Sequence, residues 1–161
     1  MQKLPLALAA AALAAGSLGC ATTHTAEART PEQKAVMTVI DQFVDGFNKG
    51  DVPKAIALCT DDMAIVDEFP PHAWHGSGTL AKWLGDYDTN AKKEGISDGF
   101  VKAKAPRHLD VQGDYAYAVV PSDYTWKLKG KPMKEEDSLF TFALHKGSGG
   151  WKITGWAWSN N

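Results

Sequence analysis

The sequence predicts an α+β domain in which helices come first and a sheet follows. Three observations carry that expectation. Val36, Ile40, Phe43 and Phe47 recur at helical spacing behind a Thr30-Pro31 start. Stretches rich in aromatic and β-branched residues, separated by Gly turns, fill the second half of the chain. Helical and strand patterns are segregated, not alternating, which is the order expected when helices pack on one side of an antiparallel sheet. At 161 residues, 44% hydrophobic and 22% charged, the chain fits one globular core and excludes collagen-like, coiled-coil and disordered classes. A formal charge of -2 gives no electrostatic reason to bind nucleic acid or an anionic membrane surface, and neither partner is expected.

Residues 1–20 read as an address. Lys3 supplies a positive start, and the Ala/Leu run from Leu4 to Leu18 is shorter than the about 20 residues that span a bilayer. The chain is therefore expected to be exported. Ser17-Leu18-Gly19-Cys20 is similar to a lipobox, with Ser17 where Leu is usual, so Cys20 is a candidate lipidation site. Cleavage after Ala21 or after Ala28 is the alternative, leaving a soluble periplasmic protein. Residues 21–30 form a polar tether, and 31–161 the domain.

Each element of the domain has a local reason. Thr30, Pro31 and Gln33 supply an N-cap, a first-turn Pro and a capping-box partner, and Asn48-Lys49-Gly50 ends that helix. Asp51 caps a short second helix through Leu58. Met63 to Phe69 reads as a strand broken by Pro70-Pro71. Gly76-Ser77-Gly78 opens a third helix carrying Leu80, Trp83, Leu84 and Tyr87, with Ser77 as its cap. Strands then dominate from Phe100: Tyr115 to Val120, Asp123 to Leu128, Asp137 to Leu144 and Trp151 to Ser159, turning at Gly130 and at Gly147-Ser148-Gly149-Gly150.

Asn48-Lys49-Gly50-Asp51, Ala55-Ile56-Ala57-Leu58, Thr60 to Asp67, and the closing Trp151-Lys152-Ile153 to Trp158-Ser159 resemble nuclear transport factor 2-like proteins, and among them the SnoaL-like and ketosteroid-isomerase-like branch. The resemblance covers residues 31–159. It implies a cone, a strongly curved antiparallel sheet wrapped around the N-terminal helices and enclosing an apolar pocket, and it makes a homodimer plausible. It does not select a reaction, because such folds host many.

Asp67 falls where the ketosteroid isomerases keep a general base. A carboxylate in an apolar pocket has a raised pKa and can take a proton next to a carbonyl. The enolate oxygen that forms needs donors, in those isomerases a Tyr and a protonated Asp. Phe43 stands where the Tyr is expected and cannot donate, and only Asp137 lies near the place of the acid, so steroid isomerisation is not expected. Asp67 is then either a functional acid or a solvated or hydrogen-bonded one at a strand end. His72 and His75 follow it in a loop. His75 is the candidate catalytic partner of Asp67; a metal site completed by His108 or His145 is not expected, since only two of the ligands are linked by sequence.

Gly76-Ser77-Gly78-Thr79-Leu80-Ala81 satisfies a dinucleotide pattern but does not directly follow a strand in a βαβ unit, so no cofactor is expected. Cys59 sits in a helical run and reads as a small buried thiol. The aromatic load remains. Phe43, Phe47, Trp74, Trp83, Tyr117, Trp126, Phe140, Phe142, Trp156 and Trp158 are the candidate pocket residues. They favour a small apolar or aromatic ligand. Phe140 and Phe142 share one sheet face, as do Trp156 and Trp158, and the alternation does not say whether that face is the pocket or the outside. The leading expectation is an exported small-molecule-binding protein without catalysis; an isomerase, cyclase or dehydratase, or a lipid-tethered interaction module, are the alternatives.

Overall fold

Thr30 opens the first helix with the reciprocal cap that the sequence predicts: its Oγ1 accepts from the backbone N–H of Gln33 at 3.2 Å, and Gln33 Oε1 accepts from the Thr30 N–H at 3.0 Å. The computed structural model describes residues 28–160, so the leader and Cys20 lie outside the described residues. Helix α1 (Pro31–Lys49) ends on Gly50, whose φ of 67° is a left-handed C-cap. Short α2 (Val52–Ala57), capped by Asp51, leads into β1 (Cys59–Val66) and the two-residue β2 (Ala73–Trp74). Helix α3 (Thr79–Glu94) follows, then β3 (Ile96–Ala103), β4 (His108–Gln112), β5 (Tyr115–Leu128), β6 (Lys131–Gly147) and β7 (Gly150–Ser159).

The strands form one curved sheet in the order β2-β1-β7-β6-β5-β3, with β4 also on β5. One pairing departs from an all-antiparallel sheet: β1 runs parallel to β7, because helix α3 between β2 and the meander lets the chain return to β1 from the other end. The pairing is close. A Cβ at Gly155 would stand 3.0 Å from the Ala64 carbonyl oxygen.

Three other expectations are corrected. The strand expected at 63–69 lies at 59–66, because Asp67 N–H already turns back to the carbonyl of His72 and the His72 N–H to that of Phe69. The two segments 115–120 and 123–128 are one long strand, since Pro121 sits where it need not donate and the pairing to β6 continues through Ser122. Ser77 does not cap α3. Gly78 is the N-cap, and Asp61 instead accepts from Ser77 Oγ at 2.5 Å and from the Gly78 N–H at 3.1 Å.

The core lies between α1 and the concave face. Val36, Ile40 and Phe43 meet Phe142, Leu144 and Ile153, all nearly or fully buried. Phe43 packs edge-on against both Phe140 and Phe142, with centroids 6.3 and 6.1 Å away. The two ends of α1 are clamped. Asn48 exchanges two hydrogen bonds, each 2.8 Å, with the backbone of Val101 in β3. Glu32 takes Lys146 Nζ at 2.8 Å and Trp151 Nε1 at 2.9 Å.

Candidate functional site

The sheet bends away from α1 toward β3, and the space left is a cavity of about 220 Å³. α1 contributes Phe43, Val44 and Phe47; the turn after β1 contributes Asp67, Glu68 and Phe69; α3 contributes Trp83, Tyr87 and Asn90. The sheet supplies Ile96, Val101, Tyr124, Trp126, Glu135, Phe140, Trp156 and Trp158. Phe140, Trp156 and Trp158 therefore share the concave face, which settles the side their alternation left open. A second hollow of about 470 Å³ uses Phe43, Phe47, Trp83 and Tyr87 as a common wall and lies toward α2 and the start of β3. Its acids, Asp88 and Asp98, are already matched by Lys92 and Lys127.

Asp67 is held at the cavity by two neutral donors. Trp83 Nε1 donates to Oδ2 at 2.9 Å, and the Glu68 N–H donates to Oδ1 at 2.7 Å. Burial pushes its carboxyl above the ordinary range despite those bonds, and the negative charge of Glu135 adds to the rise. Burial likewise raises Glu68, helped by Glu135 and Asp67.

Opposite the acid, the hydroxyls of Tyr87 and Tyr124 lie 2.7 Å apart. Both phenols are raised, first by burial; the bond to its partner raises Tyr124 further and opposes the rise in Tyr87. Tyr87 stacks on Trp83, and Tyr124 on Trp126, at centroid distances of 5.3 and 4.9 Å. Gly99 makes the pair possible: a Cβ there would stand 2.7 Å from the Tyr124 hydroxyl and 3.1 Å from that of Tyr87.

Of the expected pocket residues, Phe43, Phe47, Trp83, Trp126, Phe140, Trp156 and Trp158 line the cavity with Asp67. Four do not. Phe142 is fully buried beneath Phe140, in the core. Trp74 is buried against Phe69, and its indole N–H donates to Asp86 at 2.8 Å. Tyr117 is 46% exposed, because its neighbours Ala116 and Ala118 take the inward positions of β5. His75 is exposed just beyond β2 and does not line the cavity, so its ring is not brought to Asp67. His72 is nearer, but its Nδ1 sits 3.1 Å from the Asp67 backbone oxygen, not the carboxylate. Among the described residues no three His, Cys, Asp or Glu side chains converge as metal ligands.

Glu135, Tyr87 and Tyr124 complete the polar side of the cavity, and Glu135 carried no signal as a pocket residue. Ser122 faces Ser138, but Tyr124 faces Glu135, so two steps on β5 oppose three on β6. The extra residue is a β-bulge with Asp137 at φ 58°, and it turns Glu135 inward where strict alternation places Glu136. Asp137 itself points out and meets Lys104 at 2.7 Å.

Residues 36–160 match the family described as a SnoaL-like domain. Solved structures share the fold. A nuclear transport factor 2-like superfamily protein from Salmonella enterica serovar Typhimurium LT2 is 19% identical with a TM-score of 0.66, over 80% of this chain and 89% of that one. A ketosteroid isomerase-like protein from Erwinia carotovora atroseptica SCRI1043 is 22% identical with a TM-score of 0.62, over 82% and 98%. The CaMKII hub of S. rosetta is 18% identical with a TM-score of 0.66, over 83% and 99%. Among curated proteins, none matches the chain.

Proposed function

The chain belongs to the SnoaL-like domain family, and from that premise we propose that it binds a small, flat, mostly apolar molecule in the cavity between α1, α3 and the sheet. One observation carries the reading: ring faces and edges from α1, α3, β5, β6 and β7 converge on one hollow, and its polar atoms are gathered around Asp67, Glu135 and the Tyr87–Tyr124 pair. Apolar walls with a few placed polar groups are what ligand sites have in common. Thermal denaturation with tryptophol, a flat neutral indole, tests this. Ligand raises Tm with the logarithm of its concentration above Kd, adding about 2.7 kcal/mol of stability at a hundred times Kd. The Trp126→Ala protein, altered at a half-buried ring, shows a smaller rise; no rise in either protein contradicts the reading.

A second reading is proton transfer with Asp67 as base. What favours it is the tyrosine pair: Phe43 cannot donate a hydrogen bond, but Tyr87 or Tyr124 can give one to a developing oxyanion. His75 is replaced in that role by the tyrosines. Asp67→Asn would abolish turnover while leaving the fold intact, and unchanged turnover would remove Asp67 from the chemistry.

Export remains part of the proposal and rests on the composition of residues 1–20. Fractionation of cells expressing the wild-type and Cys20→Ala chains separates a lipid-anchored form from a soluble periplasmic one. A homodimer is proposed from the likeness to nuclear transport factor 2-like proteins, and light scattering at several concentrations tests it.

A further inference from the structure

We infer that the cavity takes a flat organic cation, a ring system whose protonated amine sits against the carboxylates of Asp67 and Glu135 while its faces lie along Trp126 and Trp158. The inference rests on the binding reading above and names the ligand class for the same site.

Charge balance is the first observation. Asp67, Glu68 and Glu135 all line the cavity, and among the described residues no Lys, Arg or His does. Several acids elsewhere on the domain have lysine partners: Glu32 with Lys146 at 2.8 Å, Asp98 with Lys127 at 2.9 Å, Asp123 with Lys104 at 2.6 Å. The three cavity acids form no ion pair among the described residues. Asp67 has only Trp83 and a backbone N–H; Glu135 has Trp158 Nε1 at 3.1 Å and the hydroxyl of Ser138. Carboxylates facing an apolar hollow without a counter-charge repel one another and lose hydration, and an entering cation relieves both costs.

The walls fit the same guest. Tyr124 and Trp126 are stacked 17° from parallel, and Trp158 stands edge-on to Tyr124 at 75°. Trp158 thus donates its N–H to one acid while its ring borders the cavity, and indole faces attract cations. An anionic ligand would meet three like charges instead.

Trp156 adds a further ring to this wall. Its ring lines the cavity and is 5% exposed, yet its indole N–H is buried without an acceptor among the described residues. That nitrogen is closed off from the hollow itself, and the rings packed at right angles to Trp156 are those of Trp83 and Phe140, with centroids 4.9 and 5.3 Å away.

The test is a calorimetric titration of the full chain with tryptamine, tryptophol and indole-3-acetate, which share a ring system and differ in the charge at the end of the side arm. Tryptamine is expected to bind at least about tenfold more tightly than tryptophol, and indole-3-acetate more weakly than either. In the Asp67→Asn/Glu135→Gln double variant the tryptamine advantage disappears while tryptophol binding persists, which also shows that the cavity still forms. Equal affinity for tryptamine and tryptophol, or preference for the anion, overturns the cation inference and leaves the binding reading standing. Absence of binding by all three overturns both. Persistence of the tryptamine advantage in the double variant removes the two carboxylates as its cause.

Discussion

Trp83 and Asp67, sixteen residues apart, are joined by a 2.9 Å hydrogen bond from the indole N–H to Oδ2. The bond fastens α3 to the turn after β1 and fixes the carboxylate against the cavity. It also sets a pH signature. Burial, and after it the Glu135 charge, raise the folded carboxyl, while the two hydrogen bonds and His72 oppose the rise only in part. The folded state therefore holds the Asp67 proton more tightly than the unfolded state does. Its stabilising contribution is full below the unfolded pKa of about 4 and is lost as pH climbs through the raised folded value. Measured by urea denaturation, the stability of wild type relative to Asp67→Asn is expected to fall between pH 4 and neutrality. A difference that grows over that window would mean the acid is stabilised as a carboxylate.

The tyrosine pair depends on Gly99. A methyl group there needs space now held by the Tyr124 hydroxyl, 2.7 Å away. Gly99→Ala is expected to separate the two hydroxyls and cost about 1–3 kcal/mol, the usual range for forcing atoms into a packed site. The ultraviolet phenol titration checks it: part of the late-titrating tyrosine signal moves toward pH 10 as Tyr124 loses its shielded position. An unchanged titration would show that the backbone absorbs the methyl elsewhere.

Asn48 is the other single-residue dependence. It satisfies both backbone groups of Val101 in β3, an edge strand of the sheet that walls the cavity. Asn48→Ala leaves a partly buried N–H and C=O unpaired and is expected to destabilise by about 1–3 kcal/mol. Hydrogen exchange at the Val101 amide is the sensitive reporter. It should accelerate far more than the amides of β7.

Cys59 is a core thiol. Burial pushes it up to about 12, against a small opposing effect of Lys152. In a Cys20→Ser chain, a thiol reagent at pH 8 should react only upon unfolding, since the thiolate is the nucleophile. Rapid reaction of the folded protein would place Cys59 nearer solvent.

Much of this was legible in the sequence because the signals are local. The Thr30 cap, the α1 stripe and the shared sheet face of Phe140 and Phe142 need only near neighbours to be recognised. The same alternation that buries Ala116 and Ala118 turns Tyr117 outward, so that displacement was readable too. Glu135 was not. It reads as one acid in a charged hairpin arm, and only the bulge at Asp137, a property of pairing between two strands, swings it inside. The tyrosine pair was hidden for a related reason: Tyr87 and Tyr124 are thirty-seven residues apart and meet over a glycine of a third element.

The claim that the hollow is a binding site is tested most directly by the indole N–H signals of the six tryptophans in a proton–nitrogen correlation spectrum during titration with tryptamine. Trp83, Trp126, Trp156 and Trp158, whose rings line the cavity, are predicted to shift, while Trp74 and Trp151, bonded to Asp86 and Glu32 away from the cavity, stay in place. A spectrum in which none of the four moves, or in which only Trp74 and Trp151 respond, would contradict it.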